Sequence, residues 1–137
     1  MTKSKYYILN LTWGLPMNII GGIVALALIC TGHKPIRYET CIRFVVGKWW
    51  GGLNLGMFFI TDAVQDEHTL KHEFGHSIQN AMYGVLFPFI VSIPSAIRYW
   101  VREYQSKRGK WLEPYDAIWF EGQATALGNK YVQLWRK

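Results

Sequence analysis

Cysteine is scarce: Cys30 and Cys41 are the only two in 137 residues. Two thiols are too few for a disulfide framework or a cysteine-type zinc site. Cys30 closes an apolar run and reads as a small buried hydrophobe. Charge is also scarce, at 18% of residues against roughly 25% in an ordinary soluble domain. Acid is the scarcer sign, and the balance is +6. No recognisable nucleic-acid-binding motif accompanies that positive charge, so a nucleic-acid partner is not expected. No internal repeat or low-complexity tract divides the chain, and its length suits one domain.

Apolar and aromatic residues are abundant. Half of the chain is apolar, with seven Trp, eight Tyr and seven Phe. A membrane-associated protein fits this bias, because Trp and Tyr collect at the membrane interface and Lys and Arg crowd the cytoplasmic flanks. The longest apolar stretch, Tyr6 to Cys30, carries no charge and few polar residues: Asn10, Thr12 and Asn18. As one helix it would span roughly 37 Å at about 1.5 Å per residue, enough to cross a bilayer. Pro16 predicts a kink or break within it. Ala25-Leu26-Ala27 resembles a signal-peptide cleavage site, but the stretch is long for a signal peptide and holds a mid-way proline. An uncleaved anchor over residues 1–33 is the expectation.

Cys41 to Val46 and Leu53 to Thr61 read as two strands around a glycine-containing connection, hence a β-hairpin. Asp62 or Asp66 could cap the following helix, which should stop near Gly84. Val85 to Ile97, interrupted by Pro88 and Pro94, is short for a span and predicts a re-entrant, interfacial or buried segment. Arg98 to Lys110 holds five basic residues with Tyr99, Trp100 and Tyr104 interleaved, and suits either a membrane-surface segment or a solvated basic loop. Pro114 could open a last helix running to about Gly128 or Trp135.

His72-Glu73-Phe74-Gly75-His76 matches H-E-x-x-H. Residues i and i+4 share a helix face, so both imidazoles can reach one ion. Glu73 sits beside that face and can serve as general base toward a zinc-activated water. Leu70, Phe74, Ile78 and Ala81 make the opposite, apolar stripe. A catalytic zinc takes three protein ligands, and the downstream candidates are Glu103, Glu113, Asp116 and Glu121. Glu121 leads, because Ala117, Glu121, Ala124 and Gly128 form a face of small residues around one carboxylate, suited to close approach of the Gly75 face. Asp116 is the alternative third ligand. Met82 stands where a metzincin would need its third histidine. Tyr83, Tyr115 and His68 are candidates to stabilise a transition state or to support a ligand from behind.

At these residues the chain resembles a membrane gluzincin. Glu121-Gly122-Gln123-Ala124-Thr125 is similar to the Glu-x-x-Ala-Asp motif of the CAAX-prenyl-endopeptidase and heat-shock membrane protease group. Thr125 departs from it where that group carries an aspartate supporting a ligating histidine. The order of segments, from Trp13-Gly14-Leu15-Pro16-Met17-Asn18 through His72–Gln79, resembles small uncharacterised bacterial membrane proteins. The resemblance implies an α+β membrane protein. Its parts are an N-terminal transmembrane helix, a small β-hairpin, a zincin-type metal helix, a short apolar segment and a glutamate-bearing C-terminal helix. Residues 34–137 would form a minimal zincin-like domain with a membrane-associated segment at 85–104. The implied cofactor is Zn2+, the implied activity peptide-bond hydrolysis, and the implied partners lipid and a peptide or protein substrate. In the zincin families a strand beside the metal helix pairs with substrate backbone, and Leu53 to Thr61 could be that edge. More basic residues follow the first apolar stretch than precede it, which favours a bacterial inner membrane with the site on the cytoplasmic side. Two other readings stand beside the peptidase: a non-catalytic membrane protein stapled by zinc, and a metal-free adaptor using Arg98 to Lys110.

Overall fold

Two buried asparagines inside the first apolar stretch set the path of its helices. The computed structural model describes residues 1–137. In it Tyr6 to Cys30 is not one helix: α1 (Lys3–Leu11) and α2 (Leu15–Cys30) meet at 85°. Buried Asn18 donates to the Asn10 carbonyl at 2.6 Å. Buried Asn80 donates to Asn10 Oδ1 at 2.7 Å and to the Gly14 carbonyl at 3.0 Å. One straight helix would pull these partners apart, leaving buried polar groups unpaired. The expected single N-terminal helix is two helices joined at a bend, and no single helix is long and apolar enough to cross a membrane. The break falls at Thr12–Gly14; Pro16 lies in the first turn of α2, where its missing N–H costs nothing. Tyr6 is fully buried and donates to Ser77 at 3.0 Å, so residues 1–33 share the core of the rest. Cys30 is exposed, whereas Cys41 is buried.

The expected hairpin is a four-stranded mixed sheet. Its strands are β1 (Ile36–Tyr38), β2 (Cys41–Val45), β3 (Gly52–Leu55) and β4 (Phe58–Thr61), in the order β1-β2-β4-β3. Leu53 to Thr61, read as one strand, is itself a hairpin turning at Gly56, whose φ of +77° suits glycine. Asn54 Oδ1 accepts from the Gly56 N–H at 2.8 Å and holds that turn. β2 pairs with β4 in parallel, in register from Ile42↔Phe58 to Val45↔Thr61. β3 is left as an edge. Asp62 does not cap the next helix; it accepts from Trp50 N–H, Gly51 N–H, Val64 N–H and Gln65 and closes the turn ahead of β3. Burial opposes its ionisation, but these hydrogen bonds prevail and bring its pKa down to about 2.

Helix α3 (Glu67–Tyr83) is capped by Asp66, which accepts from Thr69 N–H at 3.1 Å. It ends at Gly84, whose φ is +55°. Leu70, Phe74, Ile78 and Ala81 face Tyr6, Tyr38, Phe59 and Tyr131 in the main core. Gly84–Leu86 forms a 3-10 turn and Pro88–Ser92 a π-helical turn leading into α4 (Ile93–Lys107). The segment expected to be re-entrant or interfacial is thus helical, bent 115° from α3 and its 3-10 extension, and the basic run Arg98–Lys107 is helical as well. Pro114 precedes a 3-10 turn at Tyr115–Ala117, and α5 (Trp119–Arg136) starts after it.

α3 and α5 pack backbone to backbone. A Cβ on Gly75 would lie 1.8 Å from the Ala124 carbonyl oxygen, and one on Gly128 1.8 Å from that of Lys71. Ala124 is fully buried between them. Gly75→Ala should therefore cost about 3 kcal/mol or more by overpacking. Denaturant unfolding of the purified protein measures this, and a wild-type midpoint would contradict the helix contact.

Candidate metal centre

Close approach of α3 and α5 brings three side chains to one point. His72, His76 and Glu121 form a buried group that could hold a metal ion, with ligand atoms within 4.8 Å of one another. Glu121 Oε2 lies 3.0 Å from His72 Nε2 and 3.2 Å from His76 Nε2. Ligands about 2.0–2.1 Å from a tetrahedral ion sit about 3.3 Å apart, so the spacing fits an ion at the centre.

The hydrogen bonds behind the rings fix what faces that point. His76 Nδ1 is 2.7 Å from Gln79 Oε1. The Gln79 amide nitrogen donates to the Phe120 carbonyl and to Gln123 Oε1, so Oε1 can only accept and His76 must donate from Nδ1. His72 Nδ1 is 2.8 Å from Thr125 Oγ1, which gives its own proton to Asp116. Both imidazoles therefore present Nε2 to Glu121. Proton-filled Nε2 positions would make two imidazolium rings, their centroids 4.8 Å apart and both buried. A single divalent cation satisfies both lone pairs and the carboxylate at once.

Glu121 is fully buried; Ser95 of α4 donates to its other oxygen. Without a cation, burial works against its charge, yet hydrogen bonds donated from the ring nitrogens of His72 and His76 hold the carboxyl well below the usual range. Burial lowers the proton affinity of His76, but contact with Glu121 and the charge of Glu73 reverse this and raise it.

Glu73 behaves differently. It is buried, and its Oε2 has no hydrogen-bond partner. Burial raises its pKa, only partly offset by His76 and His72. Gly52 makes room for it: a Cβ there would meet Glu73 Oε1 at 2.6 Å. The carboxylate faces two adjoining cavities. One, of about 260 Å³, is walled by Leu53, Phe87, Val91 and Ala96. The other, about 300 Å³, is walled by Gln65, His68, Thr69 and Asp116. His72, Glu73, Tyr99 and Tyr115 border both, and the Tyr99 hydroxyl donates to the Trp50 carbonyl at 3.1 Å across them.

The remaining sequence candidates fall in distinct places. Tyr115 borders both cavities; burial pushes its phenol up to about 12, so it stays an O–H donor. Tyr83 donates to Gln123 Oε1 at 2.7 Å and ends the chain of amides behind His76. His68 is exposed, 3.9 Å from Asp116. Asp116 stands behind Thr125, outside the ligand group; Glu103 and Glu113 are exposed. Ser95, Gln79, Gln123, Trp50 and Tyr99 were not foreseen as part of the site. Gln79 had a local signal, since it lies three residues beyond His76 on the same helix face. No family model, no curated protein and no solved structure matches the chain.

Proposed function

We propose that this protein is a membrane-associated zinc metallopeptidase of the gluzincin type. The observation that carries the reading is Glu73: a buried carboxylate with an unpartnered oxygen, beside three convergent ligands and facing open space. A general base needs an unfilled acceptor and a raised pKa in that position. His72, His76 and Glu121 would hold the zinc, and the imidazole–imidazole–carboxylate set suits that metal. When bound, zinc supplies Lewis acidity and lowers the pKa of a water toward about 7. Glu73 takes the proton from the attacking water and hands it to the leaving amine. Tyr115 lends its O–H to the developing oxyanion. The ligand group contains three side chains, which leaves a fourth position for substrate and favours catalysis over a zinc staple.

The β3 edge gives a substrate its direction. Asp62 N–H bonds the Gly51 carbonyl at 3.0 Å, and antiparallel bonding alternates along the ladder. Gly52 and Asn54 therefore turn their main-chain N–H and C=O groups away from β4, toward the open edge. An extended peptide adding there would place an apolar side chain in one cavity and a polar one in the other.

Membrane association rests on surface composition. On α4, Ile93, Ile97, Trp100 and Tyr104 recur at helical spacing and are all exposed. Arg98 and Arg102 point the other way, to the Tyr115 and Glu113 carbonyls. Ile19, Ile23 and Leu26 expose a second apolar face on α2. We place the protein at the bacterial inner membrane with the site on the cytoplasmic side, following its flanking positive charge. The test of function is cleavage of a complex peptide mixture by the zinc-loaded, detergent-purified protein. Cleavage that a hydroxamate or a chelator stops is expected; a fully zinc-loaded protein that cuts no peptide would favour the staple.

A further inference from the structure

The hydroxyl of Thr125 stands behind His72 and brings no charge of its own. The structure has a carboxylate within reach behind it. Thr125 Oγ1 lies 2.8 Å from His72 Nδ1 and 2.6 Å from Asp116 Oδ2. Asp116 Oδ1 itself is 3.9 Å from His72 Nδ1, beyond hydrogen-bond range. A carboxylate only accepts, so the threonine proton points to Asp116 and the threonine lone pairs accept Nδ1–H. We propose that Asp116, acting through the Thr125 hydroxyl, is the positioning carboxylate of His72, so that this histidine is oriented by a relay of two residues. The inference rests on the zinc reading of the same site.

Asp116 sits in the 3-10 turn Tyr115–Ala117, and that turn is held on both sides. Arg98 and Arg102 of α4 bond the Tyr115 and Glu113 carbonyls and lie 4.9 and 5.3 Å from the centre of the Tyr115 ring. On the other side Gly122 admits the turn: a Cβ there would meet the Asp116 carbonyl oxygen at 2.8 Å. The second histidine has no such partner. Behind His76 come the amides of Gln79 and Gln123 and then the Tyr83 hydroxyl, all neutral hydrogen-bonding groups. The two imidazoles are thus unequal. His72 is held through a polarised hydroxyl with a charge behind it, and His76 through neutral amides alone.

The relay makes a prediction that a structural role does not. Zinc affinity of the full chain in detergent is measured by competition with a chelator, for wild type, Thr125→Val, Asp116→Asn, the double variant and Thr125→Ser. Each of the first two single variants should bind zinc about 10–100-fold more weakly, the range for loss of a partner behind a ligating histidine. The double variant should bind no more weakly than the worse single one, because the two groups act in series. Thr125→Ser keeps the hydroxyl and should bind as wild type does. Asp116→Asn should leave the unfolding midpoint of the metal-free protein in place, since its side chain is about one-third exposed. Should Thr125→Val fail to fold, Asp116→Asn and Thr125→Ser decide the matter. Unchanged zinc affinity in Asp116→Asn, or losses that add in the double variant, would overturn the relay while leaving the metal reading intact. A wild type that takes up no zinc would overturn both.

Discussion

Replacing Glu73 with glutamine is expected to leave one zinc bound and to lower peptide hydrolysis by about 10³-fold, within the range for loss of a general base. The substitution keeps the shape of the side chain, and Glu73 Oε2 has no protein hydrogen bond to lose. It also has a measurable sign in stability. The pKa of Glu73 is raised by burial, so the folded protein binds this proton more tightly than the unfolded chain does. The resulting penalty is absent at low pH and grows as pH rises through the unfolded value toward the raised folded one. Metal-free Glu73→Gln should therefore be more stable than the metal-free wild type at neutral pH, and equal to it in acid. Denaturant midpoints at the two pH values check this, and zinc content with single-turnover hydrolysis checks the rest. Retained hydrolysis in the variant would remove Glu73 from the mechanism.

Glu121→Gln should weaken zinc binding by more than about 100-fold, beyond the loss expected for any partner behind a histidine. The carboxylate is the only charged member of the ligand group, and its Oε2 faces both Nε2 atoms. An amide of the same size keeps the packing between α3 and α5 but offers a neutral oxygen or a nitrogen with two protons. Chelator competition measures the change against Asp116→Asn, for which the loss is smaller. Equal losses in the two variants would mean that Glu121 is a supporting group and that the third ligand lies elsewhere.

Local features of the site were legible in sequence. The spacing His72/His76, the Asp66 cap and the Gly84 stop all lie within one helix, and helical periodicity reports them. Of the face read as Ala117, Glu121, Ala124 and Gly128, the last three lie on α5 and were legible for the same reason, whereas Ala117 falls in the 3-10 turn before it; their partner Gly75 sits inside the motif. The features that were missed depend on contacts far apart in sequence. Ser95 comes from another helix to hold Glu121, with no sequence spacing to suggest it. The turn at Gly56 lacks an Asn-Gly or Asp-Gly pair, so Leu53 to Thr61 looked like one strand, and parallel pairing of β2 with β4 leaves no local mark. Pro16 signalled a kink or break in the first apolar run, but only its polar residues hinted at the pairing that sets the bend at Thr12–Gly14. Asn80, which bonds Asn10 and the Gly14 carbonyl, lies on the metal helix, and a hydropathy scan gives no weight to that pairing.

The central claim is that two imidazoles and one carboxylate share one zinc. X-ray absorption at the zinc edge of the purified, zinc-reconstituted protein tests it most directly. The expected result is one zinc per chain, with two imidazole nitrogens and one or two oxygens at about 2.0–2.2 Å and no sulfur. Absence of stoichiometric zinc, or a first shell with sulfur or with only one imidazole, would contradict it.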